Sequence, residues 1–282
     1  MGRQCLSRNL ISSLFRCASG RKFGRADYIN GVDVSLIGVF VTVSGIVVGA
    51  DTAVRQRGTT DFAVASAPKF TGCGQNAYAG LTGITRWIVE DGASNRVYNA
   101  IDAVNDTCDG ELRRQPDLPL RTLTERIGRA LSRHVGANYP SEARALLRTT
   151  DEQRLIVAGM ENGKPVIYSL SLSLRRNVAT AVETVSGCKF LIGETDAAAA
   201  LTQERAPLAS LAQRPEVAAV RTCNNVTADD ARTMFRLAVD VSRDYALDFG
   251  LDSGVVNWPI DFGFIDGDGV RPIVRETNPP QR

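Results

Sequence analysis

Four residues, Ser35, Asp51, Lys69 and Gly80, have types and places that could support acyl transfer. Ser35 directly precedes a long apolar run. If the bond between Val34 and Ser35 were cut, a hydroxyl and a new α-amine would share one residue. A free α-amine titrates near 7.7 to 8.0 and can act as a general base at neutral pH. The plainer reading is a serine at the start of a strand. Asp51 closes the apolar run Ile46–Ala50, where a carboxylate is costly unless it is paired, or else marks a strand exit. Lys69 follows Pro68 at the start of a short strand-like stretch. Most lysines are solvated, but a buried one beside a nucleophile would lower the nucleophile's pKa. Gly80 lies between a short strand and an expected helix start, where its N–H could donate to an oxyanion or it could simply make a turn.

The rest of the inventory narrows the chemistry. The chain has one histidine, His134, in the amphipathic stretch Thr124–Tyr139. A Ser-His-Asp hydrolase would have to use that residue as its base, and a lone histidine in such a stretch is usually structural. Six scattered cysteines show no Cys-x-x-Cys pair, which argues against a zinc site; in a chain of 282 residues they read as reduced thiols of a cytoplasmic protein. The net charge of +2 is too small to point to nucleic acid or an anionic membrane. No apolar run approaches the roughly 20 residues that span a bilayer. No metal or organic cofactor is implied.

Those residues must be positioned by strands and helices. Ser35–Val43 and Ile46–Ala50 are apolar and rich in β-branched residues, with a Ser44-Gly45 turn pair between them. They predict a hairpin in a sheet covered on both faces. Asn76–Leu81 predicts a strand, Thr82–Val104 and Leu118–Val135 predict helices, and Arg154–Met160 with Pro165–Leu172 predicts a second hairpin. Val178–Ile192 adds strand, Thr195–Gln203 helix, and Thr227 with Asp230 a capping box ahead of another helix. Val255–Ile265 supplies the last strands. Paired helices alternating with doubly covered strands predict an α/β fold, a four-layer αββα sandwich. Residues 1–34 form a separate basic arm, 35–270 the main domain and 271–282 a tail. The arm's composition fits an organelle transit peptide, a removable pro-segment or a misassigned start codon, and does not separate them.

In this order and spacing the motifs resemble the proteasome β-subunit family of N-terminal-nucleophile hydrolases and its bacterial relatives. The resemblance rests on Gly45-Ile46-Val47-Val48-Gly49-Ala50-Asp51-Thr52, Lys69-Phe70 and Ala79-Gly80-Leu81-Thr82-Gly83, with weaker likeness onward to Ile265. It implies Ser35 as nucleophile with its own amine as base, and Lys69 held by Asp51 to lower the nucleophile's pKa. It also implies the Gly80 amide as oxyanion donor, and support from Asp248 or Asp252 with Ser253-Gly254. It further implies peptide or unfolded-protein substrates, a homo-oligomeric ring and an ATP-dependent unfoldase partner. Serine stands where the family has threonine, and Val34 where it has glycine. A proteasome-like structural or binding subunit that never exposes Ser35 is therefore the alternative, with an unrelated α/β enzyme or an amidase on the same scaffold as a third reading.

Overall fold

The computed structural model describes residues 31–32, 36–56, 62–64, 67–91, 94–145, 147, 151–193, 196–203, 208–245 and 256–277. Ser35, Asp252 and Ser253 lie outside the described residues, as does the arm except for 31–32.

In chain order the strands begin with β1 (Gly31–Val32), β2 (Leu36–Thr42), β3 (Gly45–Asp51), β4 (Val54–Gln56), β5 (Phe62–Val64), β6 (Phe70–Cys73), β7 (Ala77–Gly83), β8 (Arg86–Asp91) and β9 (Ser94–Asn99). Helices α1 (Ala100–Arg114), α2 (Leu120–Asn138) and α3 (Ser141–Arg144) follow. Then come β10 (Glu152–Glu161), β11 (Lys164–Ser173), β12 (Val178–Ala179), β13 (Glu183–Thr184) and β14 (Lys189–Gly193). Helices α4 (Asp196–Thr202), α5 (Ala209–Ala212), α6 (Pro215–Thr222) and α7 (Ala228–Asp244) precede β15 (Ile260–Asp266), β16 (Gly269–Val270) and β17 (Val274–Glu276).

The strands form three sheets. One has the order β14-β2-β3-β15-β16 with β17 also on β15; a second has β12-β11-β10-β7-β6 with β13 on β11; a third runs β5-β4-β1-β8-β9. Every described pairing is antiparallel. The αββα α/β sandwich of N-terminal-nucleophile type is thereby corrected: the described chain is β-rich and antiparallel, and its third sheet has no place in that scheme. The difference centres on 82–104. The sequence predicts one helix there, but β8 and β9 form a hairpin and helix begins only at Ala100. Trp87, Ile88, Val89, Val97 and Tyr98 are aromatic or β-branched and favour extended backbone. Their spacing also mimics a helical stripe, an ambiguity that periodicity in short apolar runs does not resolve.

The hairpin that leads to the site is explained by its own sequence. Alternation sends Ile37, Val39, Ile46, Val48 and Ala50 to a core shared with Phe70, Tyr78, Ile156, Ala158 and Ile167 of the second sheet. Leu36, Phe40 and Val47 turn the other way and pack with Phe235 of α7. Gly38 and Gly49 are register partners, and a Cβ on either would come within 2.7 Å of the Phe235 ring. The ring therefore needs two glycines beneath it. The Thr227–Asp230 capping box that starts α7 forms as expected: Asp230 N–H donates to Thr227 Oγ1 at 3.1 Å, and Thr227 N–H donates to Asp230 Oδ2 at 2.9 Å. Helices α1 and α2 bury Val104, Leu123, Ile127 and Leu131 against the second sheet.

The reduced-thiol reading is also corrected for four of the six cysteines, Cys5 and Cys17 lying outside the described residues. Disulfides join Cys73 in β6 to Cys108 in α1, and Cys188 before β14 to Cys223 after α6. Each ties a helical layer to a sheet, which scattered spacing cannot reveal because the partners are 35 residues apart. Among the described residues no helix is long and apolar enough to cross a membrane.

Candidate functional site

Strand β3 enters the shared core through five consecutive fully apolar or glycine positions and ends on Asp51, whose side chain is completely buried. A buried carboxylate must be compensated, and the fold provides for it from three directions. Lys69 Nζ donates to Asp51 Oδ1 at 3.2 Å and to Oδ2 at 3.1 Å. The Leu36 N–H donates to Oδ1 at 2.7 Å. The Asn257 backbone N–H is a further donor. Burial still pushes the Asp51 carboxyl above its ordinary value, against the pull of the Lys69 ammonium and these amides.

Lys69 is only 2% exposed. Its Nζ also donates to the Ala53 carbonyl at 2.7 Å. An ammonium has three donors, and the two Asp51 oxygens with the Ala53 carbonyl supply three acceptors. Lys69 Nζ is thus held in one place by three acceptors. Chain path explains why the pair forms. Asp51 terminates β3, the chain passes through β4 and β5, and Lys69 arrives just ahead of β6. The Lys69 carbonyl then accepts the Leu81 N–H at 2.8 Å, which locks its backbone to β7.

That bond also decides where Gly80 points. Successive N–H groups of a strand alternate sides. With Leu81 N–H aimed at Lys69, the Gly80 N–H faces β10, where Ile156 is its register partner. A Cβ on Gly80 would meet Ile37, Phe70 and Ile156 at 3.1 to 3.3 Å, so the residue sits in the packed core between sheets. In this arrangement Gly80 offers a ladder N–H, not a free oxyanion donor.

The structure therefore brings Asp51 and Lys69 together, and joins them to the first backbone N–H after Ser35 in the chain. Ser35 itself, and the Asp252 and Ser253 expected as support, are outside the described residues. Sequence reading did not single out Asn257 or Ala53. It also overlooked the Pro259 carbonyl, which accepts the Thr52 N–H at 2.9 Å and the Thr52 hydroxyl at 3.0 Å. The Ala-Asp-Thr segment after the apolar run was the only available signal, since its polar groups need distant partners.

His134 is elsewhere. Its ring lies 4.9 Å from that of Tyr98, and its carboxylate neighbours are Asp102 and Asp106. Its Nε2 is buried without a hydrogen-bond partner among the described residues, and burial holds its pKa below the ordinary value. Among the described residues no hydrogen bond or ion pair links it to Asp51, so these two do not supply the base and orienter of a Ser-His-Asp arrangement. Chemically, Asp51 and Lys69 form a buried, mutually compensating pair whose carboxylate fixes the Leu36 amide at the head of β2. Comparison with protein-family models finds none that matches the chain, and no curated protein matches it either.

Proposed function

We propose that this protein is an acyl-transfer hydrolase of the N-terminal-nucleophile kind, a peptidase whose nucleophile is Ser35 after removal of residues 1–34. The observation that carries the reading is the buried Asp51–Lys69 pair hydrogen-bonded to the Leu36 N–H. In this reading the Lys69 ammonium, held by Asp51, lies beside Ser35 and favours the neutral amine and the ionised hydroxyl, as such catalysis requires. The Ser35 hydroxyl attacks the peptide carbonyl and its proton passes to the α-amine. The C–N bond then breaks, the leaving amine takes that proton, and water hydrolyses the ester. Asp51 holds Lys69 in place. The oxyanion donor is a group other than the Gly80 amide. Peptide or unfolded-protein substrates, a homo-oligomeric ring and an unfoldase partner are part of this reading.

One observation favours the second reading, a structural or binding subunit with an intact leader. Strand β1 pairs with β4 on one side and β8 on the other, in the centre of its sheet. Removing residues 1–34 would delete that strand and leave two unpaired edges. Two disulfides favour an oxidising compartment reached through the basic arm over a reducing cytoplasm.

Intact mass with N-terminal sequencing tests the choice. The peptidase reading expects a chain beginning at Ser35 and hydrolysis of fluorogenic peptides that Ser35→Ala abolishes. A full-length chain that hydrolyses peptides, or an active Ser35→Ala protein, rejects the mechanism. A processed chain that hydrolyses simple amides but no peptide identifies an amidase.

A further inference from the structure

The outer faces of α1 and α2 carry opposite charge in matched spacing. On α1, Asp102, Asp106 and Asp109 are exposed at intervals of four and three residues. On α2, Arg126, Arg129 and Arg133 stand at intervals of three and four, and with Arg114 and Glu111 they line an open groove of about 310 Å³. Four arginines there face one carboxylate. Glu111 pairs with Arg126 and, at 3.7 Å, with Arg114. Arg129 and Arg133 form no ion pair among the described residues, and neither do the three aspartates. Guanidinium groups crowded this way repel one another unless an anion comes between them.

We propose that this helix pair is a two-fold interface in which the aspartate stripe of a second copy of the chain fills the arginine groove, and the reverse. The helices form an antiparallel hairpin, and Glu111–Arg126 sets their relative level. Asp106 is then level with Leu131 and Asp109 with Gly128. Rotation by a half-turn about an axis parallel to the helices, lying in the contact plane, lays α1 of one copy over α2 of the other and antiparallel to it. Asp102, Asp106 and Asp109 then come within about 3 Å along the helix of Arg133, Arg129 and Arg126 respectively. The alternative axis, across the helices, stacks like charge on like charge. An isologous contact repeats every pair twice, so six ion pairs form from two three-residue stripes. The face is small, about 450 Å² for two helices of 15 and 19 residues side by side, so the association is weak and salt-dependent.

Sedimentation velocity on the full chain at about 100 μM tests this, in roughly 50 mM and 500 mM sodium chloride. The expected particle mass at low salt is twice that at high salt. Arg129→Asp/Arg133→Asp should keep the lower mass at both salts, and so should Asp106→Arg/Asp109→Arg. An equimolar mixture of these two variants should regain the doubled mass, because each supplies what the other lost. A wild-type mass that is the same at both salts overturns the proposal. So does a doubled mass in either variant alone, or a mixture that fails to recover while both variants retain the wild-type far-ultraviolet circular dichroism.

Discussion

Replacing Lys69 with methionine removes the charge and keeps most of the volume. Asp51 is then left fully buried with only the Leu36 and Asn257 amides as partners. Breaking a buried ion pair by removing one member typically costs about 3–5 kcal/mol, because the other charge stays uncompensated. With a urea m-value of about 2–3 kcal/mol per molar, the unfolding midpoint should fall by about 1–2.5 M. Adding Asp51→Asn should return part of that loss, since the stranded charge is gone. The pH dependence has a fixed sign. Burial raises the folded-state pKa of Asp51 above its unfolded value, and loss of the lysine raises it further. A raised carboxyl pKa gives stability that is present at low pH and lost as pH rises through the folded value. The deficit of Lys69→Met relative to wild type should thus be smaller at pH 4 than at pH 7. The reasoning fails if Lys69→Met unfolds within 1 kcal/mol of wild type, or if the double variant is less stable than the single one.

Other consequences follow from the same structure. His134 is held neutral by burial, with a folded pKa below its unfolded value, so its contribution is present above the unfolded pKa and lost as pH falls through the folded one. Stability should decline from pH 7 to 5 more in wild type than in His134→Asn, measured by thermal unfolding. Reduction of either disulfide should cost about 4 kcal/mol by loop-closure entropy for a separation of 35 residues, seen by comparing Cys73→Ala/Cys108→Ala with wild type in urea. Gly83→Ala should destabilise by more than about 1 kcal/mol, because φ is +93° and a Cβ would lie 2.0 Å from the Glu152 carbonyl oxygen.

Some of this molecule is legible in its residues alone. The run from Leu36 to Asp51 alternates two apolar faces about a Gly-containing turn, so any fold it joins must cover it on both sides. The Thr227–Asp230 box needs only four consecutive residues of local geometry. Asp51 itself is legible as a problem, a carboxylate at the end of an apolar strand, because the cost of burying charge is a property of the group.

Its solution is not legible, because hydrogen-bond partners are chosen by chain path. Only the folded chain brings Lys69, Ala53 and the Asn257 amide to one place, and only strand pairing turns the Gly80 N–H into the ladder. Residues 86–99 carry apolar spacing that suits a helix or a hairpin, and the pairing of β8 with β9 and of β8 with β1 decides for strand. The cysteines obey the same rule: a thiol's partner is set by Cα atoms brought within 5.3 and 5.4 Å, a distance that exists only after the sheets and helices have packed.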